Sequence, residues 1–147
     1  MGSPMFRGRY THNIDAKGRV SIPSKFREVI NGRGDQAFMI TNDLDPCLVA
    51  YPMDEWMEME ARLKALPSFV PEAVQFRRFF ISGAQECSLD SQGRILIPAN
   101  LRDYAQLGRE ALFVGLLEKF EIWSPELWKP RPENVERMRS VLSQYLP

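Results

Sequence analysis

The sequence predicts an α+β fold with a mainly β core, in which one small unit is written twice and helices lie between and after the copies. Three observations carry that prediction. The stretch DAKGRVSIP at 15–23 returns as DSQGRILIP at 90–98, 75 positions later. Short β-branched and aromatic runs bounded by Gly, Pro, Asn and Asp follow each copy, as strands separated by turns do. Other segments carry apolar residues three and four apart, the spacing of one helical face.

The repeat extends beyond the nine residues. A shift of 75 superposes Gly8 on Gly83, Asp15 on Asp90, Gly18 on Gly93 and Arg19 on Arg94. It also superposes Ile22 on Ile97, Pro23 on Pro98 and Arg27 on Arg102. Further along the shift becomes 72, so that Leu48 meets Phe120, Tyr51 meets Trp123 and Trp56 meets Trp128. Two copies are too few for a solenoid, and tandem duplication of one module explains them better. A module of about 45 residues is small for a core of its own, so pairing two supplies the missing burial.

Each element has a local reason. Residues 10–14 and 86–89 read as strands leading into the turns Asp15-Ala-Lys-Gly18 and Asp90-Ser-Gln-Gly93. Asp bonds nearby backbone N–H groups and Gly takes positive φ, so Asp15, Gly18, Asp90 and Gly93 are turn-formers. Residues 19–22 and 94–97 return as β-branched strands, which predicts a hairpin in each copy. Pro23 and Pro98 cannot donate to a ladder and stop those strands. Ser24 is placed to cap a short helix, SKFREVI, that ends at Asn31-Gly32; its counterpart is ANLRDYAQLG. Strands follow at 37–41 and 48–51, matched by 111–115 and 120–123.

Trp56, Met59, Leu63 and Leu66 form one helical stripe that Pro67 breaks, and residues 71–81 form a second helix. Val135, Met138, Leu142 and Tyr145 repeat the spacing on a terminal helix behind the linker Lys129-Pro-Arg-Pro132. Such stripes serve cores or subunit contacts. The organisation is then repeat one at 9–56, a helical connector at 57–83, repeat two at 84–128, and a linker with terminal helix at 129–147. Residues 1–4, MGSP, read as a cloning scar with Met5 the native start.

Composition narrows the function. The 147 residues are 44 % hydrophobic and 26 % charged, enough to bury a core. No apolar run approaches the ~20 residues of a membrane span, and no secretory signal is visible at the start. Cys47 and Cys87 are not closely spaced, and with a lone His12 they leave no candidate zinc set. They read as cytosolic thiols. The net charge of zero hides an uneven distribution: residues 5–34 carry seven basic side chains against two acidic ones, whereas 35–75 carry eight acidic against two basic. The basic N-terminal third is a candidate anion-binding face.

The stretches MFRGRYTHNIDAKGRVSIPSKFR, DPCLVAYPMDEW, ISGAQECSLDSQGRILIPANLR and FEIW closely resemble the MraZ family of bacterial proteins. The similarity runs from Met5 to about Trp128 and includes two copies of a D-x-x-G-R signature. The resemblance implies a swapped-hairpin fold of the AbrB/MazE class, with both halves of a double-split β-barrel in one chain. It further implies a ring of identical subunits, often an octamer, and sequence-specific binding of double-stranded DNA. The targets it implies are short direct repeats in the promoter of the division and cell-wall gene cluster, which places the protein in the cytoplasm at the nucleoid. No cofactor or metal is implied.

On that reading Lys17 meets a phosphate and Arg19 a guanine edge at the first hairpin tip. Arg7 and Arg9 reach flanking backbone, and Arg94 serves the second tip. Gln92 replaces Lys17 there and Glu86 lies nearby, so the first tip is expected to be the main reader. Two other readings compete: a MazE-like antitoxin, and a hydrolytic enzyme using Asp15 and Asp90. The second lacks a phosphate-cradling loop or a nucleophile triad, with its one histidine at position 12.

Overall fold

The computed structural model describes residues 5–34 and 37–147; the 1–4 segment read as a scar lies outside the described residues. The elements in chain order are β1 (Arg9–Asn13), β2 (Arg19–Ser21), α1 (Ser24–Gly32), β3 (Ala37–Asn42) and β4 (Leu48–Pro52). They continue with α2 (Met53–Lys64), α3 (Pro71–Ser82), β5 (Gln85–Ser88), β6 (Arg94–Leu96), α4 (Ala99–Tyr104), β7 (Glu110–Gly115), β8 (Phe120–Trp123) and α5 (Val135–Leu142). Strand, strand, helix, strand, strand thus occurs twice, with helices between and after the copies. The connector starts earlier than expected, since α2 already begins at Met53. Trp56 and Trp128 do not share an environment. Trp56 is buried in α2, and Trp128 lies beyond β8 with its ring 5.5 Å from Trp123.

Ser24 is not a cap. Pro23 holds the N-cap position, with φ −51° and ψ 139°, and its carbonyl accepts from the N–H groups of Phe26 and Arg27 at 2.9 Å each. Pro98 does the same for Leu101 and Arg102 at 3.0 Å. Each proline therefore ends one strand and starts one helix, because its ring fixes φ and its carbonyl stays available.

The expected hairpins form with their arms exchanged between the units. Each turn reverses the chain, but its two arms do not ladder together; β1 and β2 meet through one bridge, Ile14 to Val20. Instead β1 pairs antiparallel with β7 of the other unit, β5 pairs with β3, and β2 pairs with β6. The strands make a six-stranded sheet, β1-β7-β8-β4-β3-β5, and a separate two-stranded ribbon, β2-β6. Among the described residues this is an open sheet with a ribbon and not a closed barrel. Exchange of arms wins because one unit alone cannot cover its apolar face, whereas the partner unit's strands can.

The registers carry the duplication into space. Val20 stands opposite Ile95, and Val49 opposite Glu121. Those pairs are 75 and 72 positions apart, the two sequence shifts, so an approximate two-fold axis passes through both. One continuous core results. It joins Phe6, Val20, Phe26, Phe38 and Leu48 of the first half to Ile95, Leu101, Phe113, Phe120 and Ile122 of the second. The Phe26 ring lies 5.1–6.4 Å from those of Phe6, Tyr10, Phe113 and Phe120, tilted or edge-on. A second cluster of Val49, Tyr51, Trp56, Leu63 and Phe80 lies on the other face of the sheet. Strand β4 is buried along its whole length because Leu48 and Ala50 face one cluster and Val49 and Tyr51 the other.

Candidate nucleic-acid interface

The two turns are built alike. Asp15 N–H donates to the Arg19 carbonyl at 2.9 Å, and Gly18 N–H donates to the Asp15 carbonyl at 2.9 Å. Gly18 sits at φ +86°, in the left-handed region that closes a short hairpin loop. The Asp15 carboxylate accepts the Lys17 and Arg19 N–H groups at 3.0 and 2.9 Å, and Arg19 Nε at 2.7 Å. Asp90 repeats this with Gln92 N–H at 2.8 Å, Arg94 N–H at 2.9 Å and Arg94 Nε at 3.0 Å. The following arginine's backbone N–H, above all, holds each carboxyl below the usual aspartate range.

The turns interlock across units. Ile22 N–H donates to the Gly93 carbonyl and Ile97 N–H to the Gly18 carbonyl, both at 3.0 Å. The Arg102 guanidinium of the second unit lies against Gly18, where an added Cβ would come within 2.7 Å of it. Arg27 of the first unit lies against Gly93 in the same way. Their Nε atoms donate to the carbonyls of Ile97 at 2.9 Å and Ile22 at 3.1 Å. Arg27 and Arg102 are thus crossed braces for the opposite tip.

The ribbon brings Arg19 and Arg94 to one surface. Directly opposite residues of an antiparallel pair point to the same face, and the next pair along points to the other. Arg19 stands opposite Leu96 and Ser21 opposite Arg94, so all four share the outer face, while Val20 and Ile95 point into the core. The Arg19 side chain is 36 % exposed and that of Arg94 27 % exposed. Each guanidinium has its Nε engaged by the aspartate, which fixes its orientation at the turn. A group pre-set in this way loses less rotamer freedom when it binds. Lys17 is exposed at the first turn.

Arg7 and Arg9 do not join this surface. Arg9 occupies the far end of β1 from the turn, with its guanidinium carbon 5.9 Å from the Trp128 ring centroid. Arg7 is exposed beside Phe6, which bridges to Leu117, and lines a shallow cleft with Lys25 and Glu28 of α1. The sequence reasoning missed three residues that do lie near the tips. Arg102 and Arg109 line a cleft with residues 13–16 of the first turn, and the Arg109 carbonyl accepts the Ile14 N–H at 2.7 Å. Leu96 stands on the ribbon face, 58 % exposed. The equivalence of Arg27 with Arg102 was a usable signal; the register that puts Leu96 opposite Arg19 had none in the local sequence.

Among the described residues one further group of candidate ligand atoms exists. The ligand atoms of Asp43, Cys47 and Glu121 lie within 4.8 Å of one another. Burial and the neighbouring acids push the Cys47 thiol up, and burial raises Glu121, which accepts from Trp123 Nε1 at 2.8 Å. Cys87 is also a free buried thiol, 7 % exposed. No helix of the described residues is long and apolar enough to cross a membrane.

Fold and site together define a class: a duplicated α+β protein whose units exchange hairpin arms and present two braced arginine turns on one exposed ribbon. The family model described as "MraZ protein, putative antitoxin-like" matches residues 5–79 and again 80–140, one match for each unit. The chain belongs to the MraZ family. Among its relatives is a protein of Desulfitobacterium hafniense (strain Y51) called "Transcriptional regulator MraZ", 55 % identical over 132 residues that cover 90 % of each chain. Proteins of the same name from Thermoanaerobacter sp. (strain X514) and Caldanaerobacter subterraneus subsp. tengcongensis are 45 % and 42 % identical over 142 residues, 97 % of this chain and 96 % of theirs.

Proposed function

We propose that this protein is a transcriptional regulator that binds double-stranded DNA sequence-specifically and is not an enzyme. The observation that carries the reading is the shared outer face of Arg19 and Arg94, each held by the aspartate of its own turn, whose glycine packs against the other unit's arginine. A two-stranded ribbon fits the major groove, and an arginine fork matches the O6 and N7 acceptors of guanine. Lys17, Arg102 and Arg109 surround the first tip and supply phosphate contacts, which fix register without reading sequence. The second tip has Gln92 at the matching position, so the first contributes more affinity.

The finer reading follows the family resemblance. On that reading the open sheet and the ribbon form the two parts of a swapped-hairpin, double-split barrel, a reading supported by the contacts of β2 with β1 and of β6 with β5 at the two ends of the sheet order. The targets are short direct repeats in the promoter of the division and cell-wall gene cluster, engaged by a ring such as an octamer. Linked copies raise weak individual contacts to useful affinity through effective concentration. Such a regulator works in the cytoplasm, at the nucleoid.

Arg19→Ala tests the assignment. Promoter binding in a mobility-shift assay should fall by at least the ~1–3 kcal/mol of one guanine contact, with the oligomer unchanged by light scattering. Normal binding with an intact oligomer overturns it. The MazE-like antitoxin reading has the family's antitoxin-like description in its favour, and it predicts a small toxin that co-purifies in equal amount. The hydrolytic reading loses support because both oxygens of Asp15 and of Asp90 already accept hydrogen bonds at the turns.

A further inference from the structure

The approximate two-fold axis through Val20 and Ile95 relates Arg19 to Arg94 and Ser21 to Leu96. The two arginines therefore present a symmetric pair of guanidinium forks. Their neighbours on the same face are not symmetric. Ser21 is a small hydroxyl next to Arg94, whereas Leu96 is a large aliphatic group next to Arg19 and 58 % exposed. Lys17 and Gln92 break the symmetry in the same sense, since the charged member belongs to the Arg19 end. A symmetric reader matches a palindromic site and cannot tell the two directions of a duplex apart. This face is unequal at its centre and at its tips.

We propose, on the DNA-binding reading above, that Leu96 is a specificity-determining residue that contacts the 5-methyl group of a thymine beside the guanine read by Arg19. The contact gives the chain one orientation on its site. Thymine methyl is the apolar group on the major-groove edge of the base pairs, where the other groups are hydrogen-bond donors and acceptors. An isolated leucine between polar side chains gains by covering that methyl and gains nothing from an unpaired donor or acceptor. Ser21 at the related position accepts or donates and has no such preference.

Selection of binding sites from a random duplex pool tests this, using wild type, Leu96→Ser, Ser21→Leu and Arg19→Ala, with native mass measured for each. Wild type should select an asymmetric site with thymine next to a guanine. Leu96→Ser should keep the guanines and lower the thymine preference by about tenfold, at unchanged mass. Ser21→Leu should add a thymine preference at the symmetry-related position. An unchanged thymine preference in Leu96→Ser overturns the proposal, as does a reduced mass, which would assign Leu96 to a subunit contact. Arg19→Ala separates the two levels: if it selects the wild-type site unchanged, or if wild type selects nothing, the DNA-binding reading itself fails.

Discussion

Asp15 and Asp90 set the conformation of the turns through three hydrogen bonds each, two to backbone N–H groups and one to the arginine Nε. A carboxyl whose folded pKa is depressed stabilises the folded state above its unfolded value, near 3.9. That contribution is lost as pH falls through the lower folded value. Because both carboxyls are held low, the turns should stay ordered from pH 7 to 5 and loosen only below about pH 4. Amide-exchange protection at Lys17, Arg19, Gln92 and Arg94 reads this directly; loss of protection near pH 6 would contradict it. Gly18 gives a second prediction at this scale. Its φ of +86° strains any side chain, and an added Cβ would meet Arg102 at 2.7 Å. Gly18→Ala should cost more than about 1 kcal/mol in urea unfolding and weaken DNA binding by displacing the brace. The residue types at both turns were readable from spacing alone. The braces were not, because Arg102 reaches Gly18 from the other unit.

At the scale of elements, α5 stands apart. It has eight residues, none of them buried, and its cap is Asn134, whose side chain accepts from Arg137 N–H at 3.1 Å. Isolated helices shorter than ~12–15 residues are marginal in water, so α5 needs a partner for its apolar face. Met138, Val141, Leu142 and Tyr145 remain 40–75 % exposed. A second copy of the chain fits: Arg137 and Arg139 flank the apolar stripe, and α2 exposes Met57 between the acidic residues Asp54, Glu58 and Glu60. Deletion of residues 129–147 should lower the native mass while the thermal transition of the remaining chain stays cooperative. An unchanged mass would return α5 to the status of a solvated tail. The helical period was legible in the sequence; which of the stripes would find cover within the chain was not. That of α2 packs on β3 and β4, and that of α5 stays open.

For the whole molecule, the sheet order interleaves the units, with β7 and β8 of the second lying between β1 and β4 of the first. The main core likewise draws on both halves. Residues 5–83 and 84–147, expressed apart, should therefore be unfolded at low concentration or self-associate. Mixing them should restore a cooperative transition by circular dichroism. A half that is folded and monomeric by sedimentation would show that the shared core is dispensable.

The amino-acid sequence by itself determined the duplicated unit, the order of its elements, the Asp and Gly of the turns, and the proline stops, because each follows from local backbone chemistry. The tertiary structure decided what pairing decides. Strands exchanged partners, since neither unit alone has enough apolar surface to bury. Arg27 and Arg102 became braces, while Arg9 stands at the end of β1 beside Trp128 and Arg7 precedes that strand near α1. Leu96 came to stand beside Arg19 only because β2 pairs with β6 across 75 positions of chain, a contact that no local pattern encodes.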